Sequence, residues 1–165
     1  MKTAVLVPFA LAFVTFGLAA CGSQQQPTAK QSTAPARPVP AQGISVSDGR
    51  LVLPAVHGNP GAVYFTVHND SDTLQTLKSA ELEGAQSAML HNSTMVDGHM
   101  EMQEAAQMDV PAGGELVFSP GGRHVMAMDL DDSLKPGGTT TLTLTFTSGQ
   151  KATLPVEILA AGNAH

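Results

Sequence analysis

"TTTLTLTFT", residues 139–147, alternates threonine with an apolar residue so strictly that only an extended chain makes sense of it. On a strand Leu142, Leu144 and Phe146 share one face and Thr141, Thr143 and Thr145 the other, and β-branched threonines suit a pleated, half-wet surface. A helix would scatter both sets around its circumference. The same period of two runs through "KATLPVEIL" (151–159), "RHVMAMDL" (123–130), "ELVF" (115–118), "QSAMLHN" (86–92), "TLQTLKSAEL" (73–82) and "GAVYFTVHN" (61–69). Turn residues close each run, as in "NDSD", "VPAGG", "SPGG" and "LKPGG". In "ISVSDGRLVL" (44–53), Asp48-Gly49 stands between two short alternating runs and predicts a two-residue hairpin turn. "NSTMVDGHMEM" (92–102) reads as a polar loop, and only "GHMEMQEAAQM" (98–108) could hold a turn or two of helix. The prediction is an all-β domain of seven to nine short strands, an antiparallel sandwich or small barrel with Greek-key connections.

A chain of 165 residues has room for one such domain plus extensions. "MKTAVLVPFALAFVTFGLAA" (1–20) has a basic start at Lys2 and an unbroken apolar run, the pattern of a secretory signal peptide. It closes in "LAAC" (18–21), which resembles the lipobox of bacterial lipoproteins and so implies cleavage before Cys21 and acylation of its sulfur. Residues 21–43, rich in Gln, Pro, Ala, Ser and Thr, read as the lipidated Cys and a tether. The domain is expected over 44–160, with a short tail over 161–165. The protein is expected outside the cytoplasm, anchored by lipid to a bacterial membrane and facing the periplasm or the cell exterior.

Cys21 is the sole cysteine, so a disulfide within the chain and a thiolate ligand within the domain are both excluded. The net charge is −6 and the basic residues form no run, which argues against a nucleic-acid partner. No Ser-His-Asp arrangement or G-x-S-x-G elbow is seen, and no enzymatic activity is expected. The chain is expected to be monomeric.

Methionine is distributed unevenly. Apart from Met1, all of them, Met89, Met95, Met100, Met102, Met108, Met126 and Met128, fall between positions 89 and 128, together with His91, His99 and His124. Core filling gives no reason for such clustering, although any single strand methionine is most simply read as core. His124 and Met126, two apart, project from one face with Cα atoms roughly 6.5–7 Å apart, so an imidazole nitrogen and a thioether sulfur can converge on one ion. The preceding "PGG" puts them near a strand end. Thioethers are soft, neutral donors that suit copper(I), and a site with no thiolate can surrender its metal. Only the imidazoles titrate, so binding should hold at neutral pH and weaken below about pH 6.

The separations His91, ten residues, Met102, twenty-one residues, then His124-Val125-Met126 resemble the His-x10-Met-x21-His-x-Met motif of the periplasmic copper(I) chaperone family PCu(A)C. "GAVYFTVHN", "VPAGG", "SPGGRHVM" and "LTLTFTSG" also look like family segments, and the similarity spans about 44–158. It implies a cupredoxin-like β-sandwich and one copper(I) held by His91, Met102, His124 and Met126. It further implies delivery of the ion to a cytochrome c oxidase subunit or another oxidase assembly factor. Many relatives carry a His- and Met-rich tail for a second, copper(II) ion; this chain ends with only His165, and no second site is expected there. His99, Met100 and Met128 are auxiliary candidates, His99 and Met100 as an entry relay and Met128 chiefly as core wall behind the site. Met89 and Met108 should pack nearby, with His57 and His68 at the surface or satisfied within strands. Competing readings are a copper-buffering or resistance lipoprotein, and a structural β-sandwich whose core is filled with methionine. Blue-copper electron transfer would need a Cys ligand that the domain lacks.

Overall fold

The computed structural model describes residues 42–163; the signal segment, Cys21, its tether to residue 41, and His165 lie outside the described residues. Ten strands follow in order: β1 (Ile44–Val52), β2 (Gly61–Asn69), β3 (Gln75–Leu82), β4 (Ala85–Val96), β5 (His99–Glu104), β6 (Met108–Val110), β7 (Glu115–Phe118), β8 (His124–Leu130), β9 (Thr139–Phe146) and β10 (Lys151–Leu159). They form one sheet in the order β5-β4-β8-β2-β1-β10-β9-β3-β6, with β7 paired to β2. All pairs are antiparallel except β1 with β10, which run parallel from Arg50↔Glu157 to Val52↔Leu159. The described residues contain no helix.

Alternation builds the core as expected. Leu142, Leu144 and Phe146 are buried, as are Val63, Phe65 and Val67 on β2 and Val125 and Ala127 on β8. Every strand except β5 sends its inward residues into a single cluster, which requires the long sheet to curl around one interior. Within it Phe65 and Phe118 stack with ring centroids 4.1 Å apart, joining β7 to β2 by side chains as well as backbone. At the end of β2, buried Asn69 donates from Nδ2 towards the carbonyls of Val110, Pro111 and Thr73 and accepts from Ser71, tying the "NDSD" turn to "VPAGG".

Ten strands replace the seven to nine expected, and three local expectations are corrected. Asp48-Gly49 does not reverse the chain: β1 continues through it, and the register against β2 jumps from Ser47↔Thr66 to Arg50↔Tyr64. Two residues face one, a β-bulge, with Asp48 in the left-handed region at φ 58°. A side chain at Gly49 would come within 2.9 Å of the Pro155 carbonyl and 2.7 Å of a Leu154 methyl, so glycine lets β10 close on β1 there. The two-residue hairpin lies instead at Asp97-Gly98, where both residues have positive φ (49° and 82°), the requirement of a type I′ turn. The polar "loop" of 92–102 is thus the β4–β5 hairpin, and the candidate helical turns of 98–108 are β5 and the approach to β6.

Candidate metal centre

The register of β5, β4 and β8 determines which predicted ligands meet. On β4 and β8, His91 is opposite His124 and Met89 opposite Met126, while Leu90 and Val125 between them turn into the core. On β4 and β5, Ser93 is opposite Met102, and Met95 opposite Met100. His91, Met102, His124 and Met126 therefore share the outer face of three adjacent strands. Met102, His124 and Met126 line an open pocket of about 340 Å³, whose walls also include Met100, Ser93, Ala62 and Tyr64. His91 adjoins it through His124, their ring centroids 5.6 Å apart. An imidazole nitrogen about 2.0–2.1 Å from a metal puts its ring centre about 3.2 Å away, so two rings on one tetrahedral ion stand about 5 Å apart, near this spacing.

The turn before β8 orients His124. Pro120 and Gly121 (φ 77°) form a turn closed by the Gly122 amide donating to the Ser119 carbonyl, and Ser119 and Arg123 pair across its base. The turn aims the Gly122 carbonyl at Nδ1 of His124, 3.1 Å away. A carbonyl only accepts, so Nδ1 carries the proton and Nε2 keeps its lone pair for a ligand. His124 is buried, at 8% exposure. His91 differs: both ring nitrogens are shielded from solvent and neither makes a hydrogen bond. An unpaired buried imidazole is costly unless something else engages it. Among the described residues no three of His, Cys, Asp or Glu are grouped to hold a metal, so any metal here must rely on thioethers as well.

Burial, then the neighbouring His124, lower the pKa of His91 below the usual histidine value, against a weaker upward pull from Glu104. The unfolded chain, at about 6.5, thus takes up a proton that the native state resists. Stability is expected to fall as pH drops from about 6.5 through the native pKa of His91, with no contribution above that window. Urea midpoints measured at pH 7.5 and 5.5 should show this loss in wild type, and a smaller one in His91→Leu.

The remaining candidates divide by face. Met100 lies on the pocket side, 53% exposed, whereas His99, its neighbour on the strand, pairs with Val96 and projects from the opposite face, away from the predicted ligands. Met128, expected as core wall, is half-buried on the outer face opposite Ser87 and is not part of the core. Met89, next to Met126, is on that face too. Met108 alone among the seven is buried in the core, which removes the reading of a methionine-filled interior. His57 is exposed and hydrogen-bonds Asp132 at 2.7 Å; His68 is half-buried beside Ser47. Another pocket, about 460 Å³, lies beside His57 and Asp132 and includes none of the predicted ligands. Tyr64, under the Arg50 guanidinium, is a pocket wall that the sequence did not flag. The alternation of "GAVYFTVHN" grouped Ala62 with Tyr64 but could not say which partner strand they would face.

The family model described as "Putative lipoprotein LpqE-like" matches residues 44–158. The chain belongs to this LpqE-like family. "Putative lipoprotein Lxx21020" of Leifsonia xyli subsp. xyli (strain CTCB07) is 30% identical over 119 residues, 72% of this chain and 70% of that protein. Among solved structures, the copper-bound PCuAC domain from PmoF2 superposes with a TM-score of 0.61 at 19% identity, covering 76% of this chain and 99% of that domain, a likeness of fold. The copper(I) form of DR1885 from Deinococcus radiodurans matches with a TM-score of 0.51 at 30% identity, covering 75% of this chain and 81% of that one. The family member thus has the cupredoxin-like fold of PCuAC domains, as its resemblance to the copper(I) chaperone family implied.

Proposed function

We propose that the protein is an extracytoplasmic copper(I) carrier without catalytic activity, anchored through Cys21, whose domain over 44–160 holds one copper(I) by His91, Met102, His124 and Met126. It surrenders the ion to a copper enzyme, with the copper centre of cytochrome c oxidase as the recipient. The observation that carries this reading is the placement of the four side chains on one outer face of three adjacent strands, including an imidazole, His91, whose ring nitrogens are buried and without a hydrogen bond. The copper(I) form of DR1885, 30% identical to this chain, supports it. His124 is buried and positioned by a backbone carbonyl, whereas Met102 is 53% exposed. One side of the site is therefore fixed and the other reachable by an acceptor. Neutral donors leave the ion its single charge, so an acceptor offering thiolates takes it downhill.

A copper(I) competition titration under reducing conditions tests the reading. Met102→Leu should weaken binding about 10-fold or more, by analogy with the loss of a supporting group at other metal sites. Because Met102 is half-exposed, its unfolding free energy should stay within about 0.5 kcal/mol of wild type. Stoichiometry well below one, or affinity unchanged in both His91→Ala and Met126→Leu, would overturn the assignment.

A further inference from the structure

The tip of the β4–β5 hairpin carries a feature that the four-ligand site does not use. Met95 and Met100 are 66% and 53% exposed, although thioether side chains gain by burial. They are directly opposite each other, one pair in from Val96↔His99, which closes the Asp97-Gly98 turn. The closing pair of a two-residue hairpin exchanges the hydrogen bonds, so Met95 and Met100 form a pair without them, whose side chains come closest, with Cβ atoms about 4.5–5.5 Å apart. Met102 is next on the same face, roughly 6.5–7 Å from Met100 between Cα atoms. Three thioethers thus cluster at the tip, and Met100 also lines the pocket that holds Met102, His124 and Met126.

We propose that Met95, Met100 and Met102 form a second, weaker copper(I)-binding position at the hairpin tip, through which the ion enters and leaves the inner site. The inference rests on the copper-carrier reading above. Three neutral sulfur donors select copper(I) over divalent ions, which favour nitrogen, oxygen or thiolate. Met102 belongs to both positions, so transfer is a ligand exchange: Met102 stays bonded while the sulfurs of Met95 and Met100 leave, and an imidazole nitrogen each from His91 and His124 and the sulfur of Met126 take their place. Two neutral donors leave and three enter, so the ion passes from three ligands to four with its charge unchanged. No electron or proton moves, and the imidazoles make the inner position the tighter one.

The full chain, titrated with copper(I) against a copper(I)-specific chelator, should take up a second equivalent more weakly than the first, because the inner ion then already engages Met102, and that equivalent should add only sulfur scattering to the X-ray absorption spectrum. Met95→Leu should lose that second equivalent, keep the affinity of the first, and pass copper to the chelator more slowly. Leucine at this exposed position should leave the thermal melt unchanged, which separates loss of metal from loss of fold. A single equivalent in wild type, or a second one that survives in Met95→Leu/Met100→Leu, overturns the proposal. Survival of that equivalent would assign the exposed methionines to contact with a protein acceptor instead. In His91→Leu the strong equivalent should weaken and the weak one persist; if the strong one is unaffected, the inner-site reading fails on its own, independently of the tip.

Discussion

Replacing His91 with leucine is expected to weaken copper(I) binding by about 100-fold or more, the upper end of what loss of a merely supporting group costs at other metal sites. The same change should leave the metal-free domain at least as stable as wild type. Its two ring nitrogens are buried and unpaired, so no hydrogen bond is lost, and an unsatisfied buried group of this kind costs about 1–3 kcal/mol. Leucine is of similar bulk and lies on the outer face beside His124, where an apolar neighbour is readily accommodated. Parallel measurements of copper(I) competition and urea unfolding decide the matter. A variant that binds copper like wild type but unfolds about 2 kcal/mol more easily would make His91 a packing residue.

Phe118→Ala should cost about 3–5 kcal/mol, the range for deleting a buried aromatic ring. Phe118 is 2% exposed and stacks on Phe65, and β7 joins the sheet through a four-residue pairing with β2 alone. The chain runs directly from Phe118 into the turn that presents the Gly122 carbonyl to His124. Loosening β7 should therefore reach the metal site as well as the core. Copper(I) at about 100 times its Kd should restore about 2.7 kcal/mol by mass action, if the site still forms. Urea unfolding with and without the ion reads both effects. A loss below about 1 kcal/mol would mean that β7 is held by something other than this stack.

Much of this was legible in the sequence. Strand spans came from the period of two, because side-chain alternation is a local property of an extended chain. The four proposed ligand positions came from the resemblance of their separations to the family motif; that they share one face came from the strand register. Turn chemistry was legible only in part. Asp48-Gly49 and Asp97-Gly98 are the same dipeptide between alternating runs, yet one is a bulge and the other a hairpin. The difference lies outside both: β2 lies alongside β1 on each side of Asp48-Gly49, and β10 closes against Gly49. Nothing comparable crosses Asp97-Gly98.

The sequence by itself determined that His124, Met126 and Met128 share a face, that Val125 and Ala127 share the other, and that thioethers and imidazoles are the metal donors on offer. Which face became the core was decided only when the sheet curled. Both faces of β8 are largely apolar, so alternation could not rank them, and it cost Met128 its correct placement. The curled sheet drew Val125, Ala127 and Leu90 inward with residues of seven other strands and left the methionines of β4, β5 and β8 outside. Their outward position follows from the register of β4 against β8 and β5, a long-range pairing that no local pattern encodes.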